Sequence, residues 1–348
     1  MNNMFNEILR EQKMLYPRME PQDYGKLIYQ SEFGPRHLAE DMQIILSEIN
    51  RERAEVSQDS YPQTPEFIGN GLCRFPLSMC RSDRDGYLLA KLFALTARRH
   101  HVSKPGVLEK LSLLKEFSIP GMDAWAEKWR EEGYPAVHHS RAYREAYQPH
   151  YRLLRRDYAG YFPILSEIYK MMERKKNIII GIDGRCGSGK TTLAEWIQSI
   201  LPCNRIHMDD FYLPQSKRQE GWTEIPGGNI DFSRLISEVL RPIHAGEAVC
   251  YRRYCCSKDK MEEEMYMPFR NLTIVEGSYS HHPSLPPYDL KIFITCSLQE
   301  RKRRLMEREG SYFTMFLDRW MPMEEHYFRS FAIEENSDLQ IDTSGLFL

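Results

Sequence analysis

The chain has 348 residues, 42% of them hydrophobic and 28% charged, a length that suggests two domains with enough apolar material for a core in each. A formal net charge of −2 provides no global field for nucleic acid or an anionic membrane surface. No apolar run approaches the ~20 residues of a membrane helix, and the first residues lack a basic stretch followed by an apolar one, so a cytoplasmic protein is expected.

Residues 1–172 read as a mostly helical domain of unknown role. Phe5, Ile8, Leu9 and Leu15 fit one face of a first helix. Pro21-Gln22-Asp23 opens a second, closing near Gly34-Pro35. Leu38, Met42, Ile45, Leu46 and Ile49 mark a longer amphipathic helix, followed by a polar loop at 57–65. Residues 67–75 read as a glycine-punctuated turn or a bulged strand. Gly69-x-Gly71 lacks the third glycine and the flanks of a dinucleotide fingerprint. Helical patterns return at 87–97, 107–117, around 124–129 and at 161–172. The basic cluster Arg98-Arg99-His100-His101 reads as a solvated face in preference to an anion site. Arg141, Tyr143, Arg144, Tyr147 and Tyr151 read as an amphipathic helix with half-buried tyrosines in preference to a ligand site. Glu173-Arg174-Lys175-Lys176 is a charged junction, which puts the domain boundary near 172–177 and a second domain at 173–348.

A β-branched run, Ile178-Ile179-Ile180 and Ile182, opens that domain as a buried parallel strand would. Gly184-Arg185-Cys186-Gly187-Ser188-Gly189-Lys190-Thr191-Thr192 follows and matches the phosphate-loop pattern G-x-x-x-x-G-K-[ST]. Leu193, Trp196, Ile197, Ile200 and Leu201 then recur at helical spacing until Pro202. Phosphate oxygens need several backbone N–H groups converging on one point, which glycine permits and a helix N-terminus reinforces. Lys190 would reach the β- and γ-phosphates of ATP, and the Thr191 hydroxyl would ligate Mg²⁺.

A short strand at 205–208 runs into Asp209-Asp210-Phe211-Tyr212. A carboxylate at the tip of a parallel strand, one crossover after a phosphate loop, lies where a substrate beside ATP would sit. Kinases of small alcohols need such a group to accept the hydroxyl proton. Ile230-Asp231 starts a further helix. Strands are expected at 271–275, ending in Glu276-Gly277, at 289–295 and at 338–342. A carboxylate at Glu276 would serve Mg²⁺ beside Thr191. Ser297 to Glu300 is a capping box opening a helix that carries Arg304 and Arg308 on one face. Residues 313–328 read as an aromatic helix broken by Pro322.

The loop at 184–192 followed by Asp209-Asp210-Phe211-Tyr212 resembles the uridine kinase and phosphoribulokinase family of P-loop kinases, which includes nicotinamide riboside kinases. The resemblance covers residues 177–343. It implies an α/β doubly wound parallel sheet of about five strands behind the helical domain, with Asp209 as catalytic base and Asp210 a candidate for holding the metal. Tyr212 would face the acceptor. Asp231 matches a family segment near the acceptor site, although a plain N-cap explains it equally well. Tyr254 matches an aromatic position on the family's hairpin, where Cys255 replaces the usual Asp. Arg304 and Arg308 match lid arginines that close over the moving phosphate. The first half resembles extensions on bacterial uridine kinase-like proteins and acquires no role from them.

The function this implies is transfer of the ATP γ-phosphate to a hydroxyl of a nucleoside-like or sugar-like small molecule, with self-association left open. The rival is an ATP-binding switch whose first domain engages a protein partner. Eight cysteines contain no C-x-x-C pair. Cys250, Cys255 and Cys256, with His281 and His282 later in the chain, read as reduced thiols ahead of a metal site.

Overall fold

The computed structural model describes residues 2–35, 41–56, 63–100 and 103–345. Leu38, positions 57–62 of the expected loop and His101 lie outside the described residues. The chain divides into two compact units, one up to Ser166 and one from Glu167. Among the described residues no helix is long and apolar enough to cross a membrane.

The first unit is mostly helical. It contains α1 (Asn2–Leu15), α2 (Pro21–Phe33), α3 (Met42–Glu55), β1 (Glu66–Gly69), β2 (Leu72–Pro76), α4 (Asp83–Arg99), α5 (Lys104–Leu113), α6 (Met122–Glu131), α7 (Arg141–Tyr147) and β3 (Tyr151–Arg155). α8 (Arg156–Arg174) carries the chain onward. Phe5, Ile8 and Leu9 of α1 are buried, whereas Leu15, the last residue of the helix, is half exposed. α2 starts at a reciprocal capping box between Glu20 and Asp23 and ends at Gly34, whose φ of +59° suits glycine. The glycine-punctuated segment is a hairpin, with an irregular register between Phe67 and Gly69.

One expectation for this unit needs correction. Tyr151 does not continue the helix of Tyr143 and Tyr147; it opens β3, which pairs antiparallel with β2. The partner strand is remote in sequence, so local periodicity does not reveal it. In the basic cluster Arg98 and Arg99 are exposed, as a solvated face requires, and His100 is partly buried. Arg99 Nη1 donates to the Tyr158 hydroxyl at 2.7 Å, and the His100 ring meets the Glu32 carbonyl at 3.1 Å.

The second unit runs from β4 (Ile178–Gly184) through α9 (Lys190–Ile200) to β5 (Asn204–His207). α10 (Phe232–Arg234) passes through a π-wound stretch, Leu235–Leu240, into α11 (Arg241–Ala245). A hairpin of β6 (Val249–Cys255) and β7 (Lys260–Met267) precedes β8 (Leu272–Glu276) and β9 (Leu290–Thr295). α12 (Leu298–Glu309), α13 (Phe313–Met315), the π-wound Phe316–Trp320 and α14 (Met321–Phe331) lead to β10 (Leu339–Asp342). Pro322 does not break the aromatic helix as expected. It sits in the first turn of α14, and the wider winding just before it absorbs its missing N–H.

Five strands form one parallel sheet in the order β10-β9-β4-β8-β5. Ile178, Ile179, Ile180 and Ile182 of β4 are all 1% exposed or less, as a central strand covered on both faces requires. The chain leaves β4 toward β5 on one side and later builds β9 and β10 on the other. The direction reverses at β4, which opens a crevice at the carboxyl ends of the strands.

Candidate active site

The phosphate loop leaves β4 at Gly184, where φ is +138°. A Cβ there would lie 2.0 Å from the Ile294 carbonyl oxygen of β9, so only glycine fits. Gly189, at φ +101°, ends the loop as the N-cap of α9 and supplies no capping side chain. The first-turn amides of α9 therefore point into the crevice without an intrahelical partner. Lys190 folds back across the loop, its Nζ donating to the carbonyls of Gly184 at 2.6 Å and Arg185 at 3.2 Å.

The cleft beside the loop encloses about 690 Å³. Cys186, Gly187, Gly189, Lys190, Thr191 and Thr192 line one end of it, and Asp209, Tyr212, Tyr254, Glu276 and Arg308 also reach its wall. A second hollow of about 310 Å³ is lined by Gly187, Gly189, Thr192, Arg303, Arg304 and Arg308.

Strand order places Glu276 where it is. β8 lies between β4 and β5, so the tip of β8 faces the loop on one flank and His207, its register partner on β5, on the other. Glu276 is 2% exposed. Its Oε2 accepts from the Thr191 hydroxyl at 3.1 Å, and its Oε1 is ion-paired with His207 Nδ1. That hydrogen bond raises the His207 pKa above its ordinary value, against the effect of burial. His207 also lines the cleft.

Asp209 ends the β5 crossover in a short 3₁₀ turn. Its side chain is open to the cleft, yet it lies deep between protein walls. Desolvation there, aided by the Glu276 charge, raises its carboxyl above the usual range, while a hydrogen bond from Tyr212 opposes the rise. A carboxylate raised in this way is a better proton acceptor.

Several candidates point elsewhere. Asp210 is 4% exposed and accepts from the Tyr251 hydroxyl and Arg253 Nε, each at 2.8 Å. It lines a separate hollow with Tyr251 and Arg253, whereas Thr191 and Glu276 line the main cleft. The Arg185 guanidinium leaves the loop for Glu325 at 2.7 Å and Glu334 at 3.0 Å, stacking over Phe293 and Phe328. Arg304 is a clamp. It binds Glu300 at 2.8 Å, the Gly187 carbonyl at 3.3 Å and Thr343 at 3.1 Å. Arg308 is mostly exposed and pairs with Glu309 at the cleft edge. Asp231 accepts from the Arg234 amide at 3.1 Å as an N-cap. The Ser188 side chain is buried within the loop.

Sequence reasoning passed over Glu324 as well as His207. Glu324, on α14, is buried and accepts from the Cys186 amide at 2.9 Å and the Ser278 hydroxyl at 2.6 Å. It thereby props the loop from below. All eight cysteines are unbridged, and no group of three or more metal-ligating side chains occurs among the described residues. Tyr254 donates to Asp259 on the same hairpin.

No family model matches the chain. Over 146 residues it is 29% identical to uridine-cytidine kinase B of Dictyostelium discoideum, spanning 39% of this chain and 59% of that protein. Over 140 residues it is 54% identical to human nicotinamide riboside kinase 1, spanning 38% of this chain and 66% of that protein. The chain thus spans about three fifths to two thirds of the length of these relatives. A solved structure described as a possible uridine kinase from Bacillus stearothermophilus aligns over 52% of this chain and all of its own, with a TM-score of 0.40 and 20% identity.

Proposed function

Because the chain is similar in sequence, over 38–39% of its length, to uridine-cytidine and nicotinamide riboside kinases, we propose that this protein transfers the γ-phosphate of ATP to a hydroxyl of a small nucleoside-like or sugar-like molecule. The observation that carries the reading is the cleft itself, in which Asp209 shares one wall system with Lys190 and the Thr191–Glu276 pair.

The loop amides and the first turn of α9 hold the phosphates. Lys190 exchanges its two loop carbonyls for phosphate oxygens, so its charge is already positioned before nucleotide arrives. Thr191 and Glu276 present a hydroxyl and a carboxylate 3.1 Å apart, hard oxygen donors that fit Mg²⁺ and leave room for its waters. That ion, when bound, neutralises charge on the β- and γ-phosphates. Asp209 takes the proton from the acceptor hydroxyl as it attacks. Arg308, exposed at the rim where its pair with Glu309 is open to exchange, stabilises charge on the moving phosphoryl group. Tyr212 and Tyr254 supply aromatic walls for the acceptor. Arg304 stiffens the loop from behind.

The test is ATP consumption against a panel of nucleosides, sugars and vitamins, with products identified by mass spectrometry. Turnover should depend on one acceptor class, and Asp209→Asn should lower it by roughly 10²- to 10⁴-fold while ATP still binds. Wild-type transfer by Asp209→Asn overturns the assignment of the base. Turnover that ignores every acceptor and responds to a protein partner would instead support a nucleotide switch.

A further inference from the structure

Asn229 is 1% exposed and lines the cleft, yet neither its amide nitrogen nor its amide oxygen has a hydrogen-bond partner among the described residues. Buried side-chain amides are normally satisfied. A side-chain amide left with both halves open, on the wall of a binding cleft, has the form of a contact that awaits a ligand.

The backbone holds it there. Leu213 donates to the Asn229 carbonyl and Asp231 donates to the Phe211 carbonyl, both at 2.7 Å, bracketing an antiparallel bridge between Tyr212 and Ile230. This pairing ties Asn229 to the segment that carries Asp209 and Tyr212. Gly228 lets the chain pass under Trp222, since a Cβ there would meet the Trp222 carbonyl oxygen at 2.6 Å. Asn229 is thus fixed beside the proposed base rather than beside the phosphates.

A second group repeats the signal. Tyr279 also lines the cleft, and its buried hydroxyl has no partner among the described residues, on a side chain only 2% exposed. Its φ is +70°, a left-handed conformation that a bulky residue rarely adopts and that costs energy to hold. Strain and an unsatisfied hydroxyl coincide on the cleft wall.

We propose that Asn229, assisted by Tyr279, is the specificity element of the acceptor subsite. It reads a planar edge that sets a hydrogen-bond donor beside an acceptor, as a carboxamide or the imide edge of a pyrimidine does. The amide oxygen and amino group of asparagine lie in one plane and pair bidentately with such an edge, the geometry by which asparagine reads adenine. A carboxylate offers acceptors alone and leaves the Asn229 oxygen unsatisfied. The hydroxyls of a sugar diol stagger out of the plane. Tyr212 and Tyr254 on the same cleft suit a flat ring. This inference rests on the reading of the cleft as an acceptor site and specifies what that acceptor carries.

The experiment is calorimetric titration of the full chain with two ligand pairs. In the first, uridine is compared with 3-methyluridine, whose donor is blocked. In the second, nicotinamide riboside is compared with its carboxylate counterpart. The wild type should prefer the first member of at least one pair by about tenfold or more, because a site built to hydrogen-bond a group rejects analogues lacking it. Asn229→Leu, close in size, should bind both members of that pair within about twofold. Its ligand-free melting temperature should hold or rise, since replacing an unsatisfied buried amide by an apolar group removes a penalty. A merely structural asparagine would lower it. No discrimination by the wild type, or discrimination that survives in Asn229→Leu, overturns the proposal. Discrimination without ATP-dependent phosphorylation would leave it standing and refute the kinase reading. Phosphorylation of an acceptor lacking such an edge would do the reverse.

Discussion

Replacing Gly184 by alanine tests whether the phosphate loop depends on a backbone contact that only glycine allows. The new Cβ would sit 2.0 Å from the Ile294 carbonyl oxygen and 2.7 Å from its amide nitrogen. Both are atoms of β9, and Gly184 pairs in register with Ile294, so no flexible side chain can yield. The φ of +138° adds strain for any residue with a Cβ, of order 1–3 kcal/mol. Overpacking adds about 1–3 kcal/mol more. The sum, about 2–6 kcal/mol, is a large part of the 5–15 kcal/mol typical of a whole domain. Urea denaturation followed by far-ultraviolet circular dichroism should therefore show a clear fall in midpoint. Calorimetry with magnesium ATP should show weaker binding in whatever variant remains folded, because Arg185 and Cys186 move with the strand end. A variant within about 0.5 kcal/mol of wild type, the range of an unremarkable surface change, would refute the argument that this contact shapes the loop.

The two lid arginines should separate cleanly. Arg304→Gln removes a clamp on Gly187 and Thr343 and should cost about 1–3 kcal/mol of stability in denaturant titrations. Arg308→Gln, at an exposed position, should leave stability within about 0.5 kcal/mol and lower the rate of phosphoryl transfer roughly 10- to 1,000-fold in a turnover assay; equal effects of both changes would contradict the division of roles. In the first unit, burial pushes the His139 pKa down to about 3, with Arg74 and Lys26 adding to the fall and the Asp23 hydrogen bond opposing it. Its neutral ring is held by Asp23 at 2.9 Å and the Tyr151 hydroxyl at 2.7 Å. The unfolded chain takes up the proton first, so the contribution is full above about pH 6.5. It falls by up to about 1.4 kcal/mol per pH unit on acidification, until pH nears 3. Denaturation of wild type and His139→Gln at several pH values checks this, and an unchanged slope in the variant would contradict it.

The phosphate loop, the strand before it, the helix after it and the acidic strand tips were legible from the residues alone, because each depends on local backbone chemistry. Gly184 to Thr192 dictates a turn whose amides converge, wherever that turn lies in a fold. All five strands of the parallel sheet were visible between turn signals, β4, β8 and β9 as short, largely apolar runs and β5 and β10 as short alternating ones.

Periodicity says which residues share a face, but not which face meets which, and that part waited on long-range pairing. Only the placement of β8 between β4 and β5 brings Glu276 against both Thr191 and His207. Only the fold turns Asp210 toward Arg253, sends Arg185 to Glu325 and Glu334, and locks Arg304 behind the loop. The open amide of Asn229 has no local signature, since an asparagine two residues before a helix cap looks like any turn former. What distinguishes it is that the chain folds around it and none of the described residues partners its amide.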